Sequence, residues 1–232
     1  MKKAVPFFVS GLLVIAIMFS LLPSVPIKAV SYIGTLPDWK STGSSIGRWT
    51  EPYYKIGAVT VNSNSYTFNT YFTSGMISAR DQWDAALGTL SLVYAFDSND
   101  TTFKFFGGTK SEIVNYSSNF NTWDIADNVW GVTKILSNAY WGMFSYYNGT
   151  SYVDKTGVEI LGAVGCIVNK GNVTNVANKT KCSCIHEVGH AFGWYDHSAS
   201  SSDVMYPTVS TNITLTNNDK NHLSQVYLEN WY

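Results

Sequence analysis

Apolar residues recur along this chain with two different periods, and those periods divide it into elements. Phe72, Met76, Ala79, Trp83 and Leu87 are spaced by three and four, which predicts an amphipathic helix over 72–88 with Trp83 turned inward. Ile185, Val188 and Phe192 form the buried stripe of a second helix over Ser183–Phe192, and Gly193 is placed to end it. A short last helix is expected where Asn217-Asn218-Asp219 supplies capping side chains and Leu223, Val226 and Tyr227 supply apolar positions. Alternating and β-branched stretches predict strands at Tyr53–Val61, Leu90–Phe96, Thr102–Phe106 and Val158–Asn169. Residues 110–150 are aromatic and rich in Asn and Ser, and read as loop with one short strand near Trp130–Ile135.

The first thirty residues follow no such pattern. Lys2 and Lys3 precede an uncharged apolar run, Ala4–Leu22, which Pro23 and Pro26 break before the small residues of Ala29-Val30-Ser31. This is the three-part form of a secretory signal peptide. Residues 1–31 are therefore expected to be removed, 32–50 to form a flexible lead-in rich in Gly, Ser and Thr, and 51–232 to form one domain. The apolar run also approaches the roughly 20 residues of a membrane span, so an uncleaved anchor is the alternative. Both readings put the domain outside the cytoplasm.

Composition narrows the partners. Hydrophobic residues make up 45% of the chain, enough for a core, while only 13% are charged and the formal net charge is −1. No basic footprint exists to neutralise phosphates, which excludes a nucleic-acid partner. Cys166, Cys182 and Cys184 allow one disulfide from Cys166 to either of the others, or three small buried thiols. Cys182-Ser183-Cys184 is too tightly spaced for a structural zinc hook. Asn-x-Ser/Thr triplets, as at Asn148 and Asn172, arise from composition in a chain this rich in Asn.

The chemistry concentrates in His186-Glu187-Val188-Gly189-His190. On a helix, positions i and i+4 share a face, so two imidazoles can point at one zinc ion. Glu187 is next in sequence to the first of them and can reach a water on that metal. Zinc lowers the pKa of such a water towards about 7, and the carboxylate can take its proton and pass it to a leaving amine. Three of the four histidines fall within twelve residues, and Asp196 and His197, the last of the three, stand where a third ligand could close the shell.

These residues resemble the metzincin metallopeptidases, whose motif His-Glu-x-x-His-x-x-Gly-x-x-His/Asp is matched by His186, Glu187, His190, Gly193 and Asp196. Asp203-Val204-Met205-Tyr206-Pro207 is similar to the methionine turn of matrixins, with Met205 beneath the metal, and Leu215–Tyr227 to their closing helix. The resemblance implies an α+β, zincin-like catalytic domain over 51–232. It would have a twisted mixed sheet with one antiparallel edge strand, an active-site helix, and a small C-terminal subdomain after Gly193. It implies zinc as cofactor and an extended protein or peptide as substrate, laid antiparallel to the strand Val158–Asn169. The motif's spacing selects Asp196 as third ligand, as in the small snapalysin-type enzymes, with His197 the alternative. Pro207-Thr208-Val209 departs from the Pro-x-Tyr that matrixins often carry, so pocket preference does not transfer. The lead-in holds no Cys to cap the metal, so the usual matrixin latency device is not expected.

Two further residues are candidates for lesser roles. Tyr206 could stabilise charge on a tetrahedral intermediate or pack behind Met205, and His222 is expected on the surface of the last helix. The expected function is thus a secreted zinc endopeptidase, with membrane contact only if residues 1–31 are retained. Its rival is an inactive extracellular binding or adhesion module on the same fold, and the presence of Glu187 speaks against that.

Overall fold

A strand buried on both faces organises the molecule. The computed structural model describes residues 45–49, 53–60, 65–88, 91–95, 103–117, 125–147, 152–194 and 196–228; the expected signal peptide, most of the lead-in and Asn148 lie outside them. The strands are β1 (Ser45–Arg48), β2 (Tyr53–Thr60), β3 (Ser91–Ala95), β4 (Phe103–Gly108), β5 (Gly131–Tyr147) and β6 (Tyr152–Val168). The helices are α1 (Tyr66–Leu87), α2 (Lys110–Tyr116), α3 (Val176–Ala191) and α4 (Asn217–Leu228).

All six strands form one sheet, with β3-β2-β4-β6 paired in parallel. Residues 156–159 of β6 pair with β1 and residues 164–168 with β4, while β5 runs antiparallel along 152–167. A strand has two hydrogen-bonding edges, so β1 and β4 lie end to end on one edge of β6 and β5 takes the other. The expected mostly parallel sheet with one antiparallel edge strand is therefore present, but the edge is not where the sequence reading put it. Val158–Asn169 is interior, and β5 is the antiparallel edge strand among the described residues. Ile160, Ala163 and Ile167 of β6 enter the main core, and Val164, Cys166 and Val168 enter a smaller cluster on the other face with Phe106, Ile113 and Ile125. An apolar run without alternation is what burial on both faces demands.

The main core lies between the sheet and the helices α1 and α3. Phe72, Met76, Ala79, Trp83 and Leu87 of α1 are all buried, as their spacing predicts. Trp83 also donates its indole N–H to the carbonyl of Ile185 at 2.9 Å, which ties α1 to α3 while satisfying the one polar atom of a buried ring. Truncating such a side chain to Ala costs about 3–5 kcal/mol.

The stretch 110–150 differs most from expectation. It contains α2, closed by a capping box in which Thr109 and Glu112 each satisfy the other's backbone N–H. It also contains β5, 17 residues long where six were expected. The β5–β6 ladder is regular from Gly131 to Ile135 and then slips three times, leaving Leu136 and Trp141 of β5 and Leu161 of β6 as extra residues. The three cysteines are free and buried, so the disulfide alternative does not hold. No described helix is long and apolar enough to cross a membrane.

Candidate functional site

The helix α3 carries its apolar residues Cys184, Ile185 and Val188 into the core, which turns His186 and His190 towards the cleft. Their Nε2 atoms lie 3.0 Å apart. Each Nδ1 faces a carbonyl oxygen, Val204 O at 2.8 Å for His186 and Trp194 O for His190. A carbonyl only accepts, so each Nδ1 donates and each Nε2 keeps its lone pair for a ligand. Burial depresses both imidazoles, His186 to about 4, which keeps them neutral and suited to a metal.

The turn after α3 brings in the third histidine. Gly193, at φ 108°, lets the chain reverse: its N–H donates to His190 O and that of Trp194 to Gly189 O, the paired bonds of a Schellman motif. A Cβ at Gly193 would stand 2.2 Å from the carbonyl oxygen of Gly47, so no other residue fits. This reversal aims the Trp194 carbonyl at His190 and returns the chain towards the cleft. His197 then joins His186 and His190, with ligand atoms all within 4.8 Å of one another.

Asp196, which the motif spacing selects, is not in that group. Its Oδ1 instead accepts the backbone N–H of His197 at 2.8 Å, and its side chain is 45% exposed. The carboxylate is folded back on its own chain, while the neighbouring imidazole lies beside the other two.

Met205 is fully buried, and its Sδ would lie 2.6 Å from a Cβ at Gly189 of α3. Asp219, the buried first-turn acid of α4, fixes this turn by accepting from Val204 N at 3.0 Å and Met205 N at 3.1 Å. The same turn offers Val204 O to His186, so the start of α4 is connected to a histidine of the group through two backbone groups. The sequence reading assigned Asp219 only a capping role. Tyr206 is half-buried and is not among the residues lining the cleft. His222 is not on the surface as expected: it is buried and stacks on Trp194 with ring centroids 3.8 Å apart.

The cleft, about 510 Å³, runs between the start of β5, the histidine face of α3 and Pro207–Val209. Glu187 lies in its wall, 5% exposed. Burial pushes its carboxyl up to about 8, against the pull of a hydrogen bond from Thr133. Thr133 Oγ1 is 2.7 Å from Glu187 Oε2, a contact between β5 and α3 that nothing in the local sequence announces.

The three imidazoles fit a zinc ion. They are neutral donors without thiolate or carboxylate among them, and the 3.0 Å between two Nε2 atoms is close to the about 3.4 Å that separates donors in a tetrahedral zinc shell. No curated protein matches the chain. The family profile of the matrixins, peptidase family M10, matches residues 94–228, from the end of β3 through α4. That match spans more than half of the chain, the sheet and histidine group agree with it, and the chain belongs to the matrixin family of zinc metallopeptidases.

Proposed function

We propose that the protein is a secreted zinc endopeptidase in which His186, His190 and His197 hold the metal and Glu187 is the general base. The observation that carries this reading is the convergence of three neutral imidazoles beside a buried carboxylate, in a cleft bordered by an open strand edge. When bound, the metal supplies Lewis acidity to the peptide carbonyl and acidifies a coordinated water. The chain's own residues do the rest. Glu187 takes a proton from the attacking water and delivers it to the leaving amine; a raised carboxyl pKa suits a group that must first accept and then donate. Val204 O and Trp194 O hold the imidazoles in the tautomer that leaves Nε2 free.

The substrate would lie as an added strand along Gly131–Ile135 of β5, whose outer edge has no partner among the described residues. An antiparallel substrate strand has its C-terminal half opposite Trp130 and its N-terminal half opposite Ile135. Secretion is supported by Lys2, Lys3 and the apolar run after them. N-terminal sequencing of the mature protein tests that part.

The decisive experiment measures zinc per chain and cleavage of casein or a quenched peptide by wild type and Glu187→Ala. The variant should keep the metal and lose activity by about 10²–10⁴-fold, because a base is removed and no ligand. A protein without zinc, or a variant that still cleaves at the wild-type rate, would refute the assignment.

A further inference from the structure

Glu187 is held from the strand side as well as by its own helix. Residues of β5 alternate in direction, and Val132 packs against the small cluster that contains Cys166 and Val168. Its neighbours Gly131 and Thr133 therefore face α3. Thr133 Oγ1 lies 2.7 Å from Glu187 Oε2 and 2.9 Å from the Glu187 backbone oxygen. One hydroxyl proton serves one acceptor well, and the closer, ionisable oxygen makes the stronger bond. No other side chain among the described residues hydrogen-bonds this carboxylate.

Gly131 contributes space rather than a contact. A Cβ there would stand 2.6 Å from Glu187 Cγ and 2.8 Å from Oε1. The carboxylate thus rests against bare backbone at residue 131 and against a hydroxyl at residue 133, two positions on one face of the edge strand. Neither residue belongs to the histidine motif, and β5 is separated from α3 by the whole of β6 in the chain.

A glutamate side chain has three rotatable bonds, and a base acts only within hydrogen-bond reach of the proton it removes. Displacing a reacting group by about 1 Å costs about 10²-fold in rate. We propose that Gly131 and Thr133 form a cradle on β5 that fixes the Glu187 carboxylate. Thr133 acts as a positioning residue whose hydroxyl occupies Oε2 and leaves Oε1 to take the proton. This rests on the assignment of Glu187 as the base. The competing account is that Thr133 only packs β5 onto α3 through the Glu187 carbonyl, or touches substrate.

Thr133→Val keeps the shape and removes the hydroxyl, and Thr133→Ser keeps the hydroxyl. The cradle predicts that Thr133→Val lowers kcat about 10- to 100-fold with KM and zinc per chain unchanged, and that Thr133→Ser recovers most of the loss. In a Glu187→Ala background Thr133→Val should have no further effect on the residual rate. Should Thr133→Val not fold, Thr133→Ala and Gly131→Ala take its place, with the same split between kcat and KM expected of both.

A second measurement is independent of catalysis. In metal-free protein, Thr133→Val should lower the urea midpoint in the wild-type background and lower it less in the Glu187→Ala background, because the bond it breaks is already gone. Equal shifts in both backgrounds, a change in KM rather than kcat, or a serine variant as impaired as the valine one would overturn the cradle. Wild-type activity in Glu187→Ala alone would instead overturn the assignment of the base on which it rests.

Discussion

Replacing Glu187 by Gln should make the metal-free protein more stable, and increasingly so as pH rises above neutrality. Burial lifts the carboxyl to about 8 in the fold, whereas its ordinary value is 4.5. Between those values the native protein keeps a proton that the unfolded chain has released, so stability falls as pH rises and the loss is complete only above the folded value. The histidines have the opposite sign. Burial lowers His186 to about 4 and His222 to about 3, so what they contribute is present above the ordinary value of 6.5 and lost as pH falls below it.

Above about pH 7 these imidazoles are mostly neutral in both states, and the rest of their titration is common to wild type and Glu187→Gln, so comparing the two proteins from about pH 7 to 8 isolates Glu187. Cys166 does not intrude, because its ordinary value of 9.0 already lies above the window and burial pushes it further up, to about 12. Linkage with values of 4.5 and about 8 gives a loss of about 1 kcal/mol across that window, or about 2–4 °C in Tm for a domain of this size. The assay is thermal or urea unfolding of chelator-stripped wild type and Glu187→Gln at both ends of the window. Gln preserves shape and offers Thr133 an acceptor while removing the titration. The stability difference between the two proteins should widen by about 1 kcal/mol with pH. A difference that stays constant would show that the carboxyl is not held protonated by the fold.

His197→Ala should abolish stoichiometric zinc binding and Asp196→Ala should retain it, measured as metal per chain after dialysis; the converse result would restore Asp196 as ligand. Asp219→Ala removes the acceptor for Val204 N and Met205 N, and should cost about 2–4 kcal/mol in urea unfolding. The same variant should weaken zinc binding by about 10- to 100-fold, because the turn it fixes orients His186. Gly193→Ala forces a side chain into a left-handed conformation and against Gly47, and should cost about 1–3 kcal/mol in the same unfolding assay, with zinc affinity falling as well.

What the sequence made legible is what a single element encodes by itself. His186, Glu187 and His190 share one helix, so their geometry follows from helical spacing alone. Five of the seven buried positions of α1 are readable for the same reason, Phe68 and Gly75 being the other two. The third histidine depends on how the chain reverses at Gly193, and counting residues across a turn does not say which of two neighbours points inward. Asp196 stands outside the histidine group, with its Oδ1 accepting the next backbone N–H. The burial of His222 depends on Trp194, a partner supplied by another part of the fold.

The edge strand was hidden for a different reason. An edge strand tolerates Asn, Ser and Lys, and each bulge shifts the alternation by one residue, so no period survives across Gly131–Tyr147. Two local signals nonetheless stand in the sequence on either side of it. Thr109 and Glu112 are spaced as a capping box, and the unbroken apolar run through Val168 marks an interior strand rather than an edge.

An open strand edge does not choose its guests: backbone groups that accept a peptide would equally accept the matching strand of a second copy, and such pairing can propagate. The three register slips in the β5–β6 hairpin limit this hazard. Regular backbone is offered over Gly131–Ile135, long enough to pair with a short stretch of chain, and the displaced Leu136 interrupts the ladder immediately afterwards. Trp141 is displaced further along and the ladder is regular again over Gly142–Tyr147, so the edge is offered as short regular stretches and not as one continuous template. The irregularity that obscures the strand in the sequence thus divides its edge into pieces, each shorter than the strand itself.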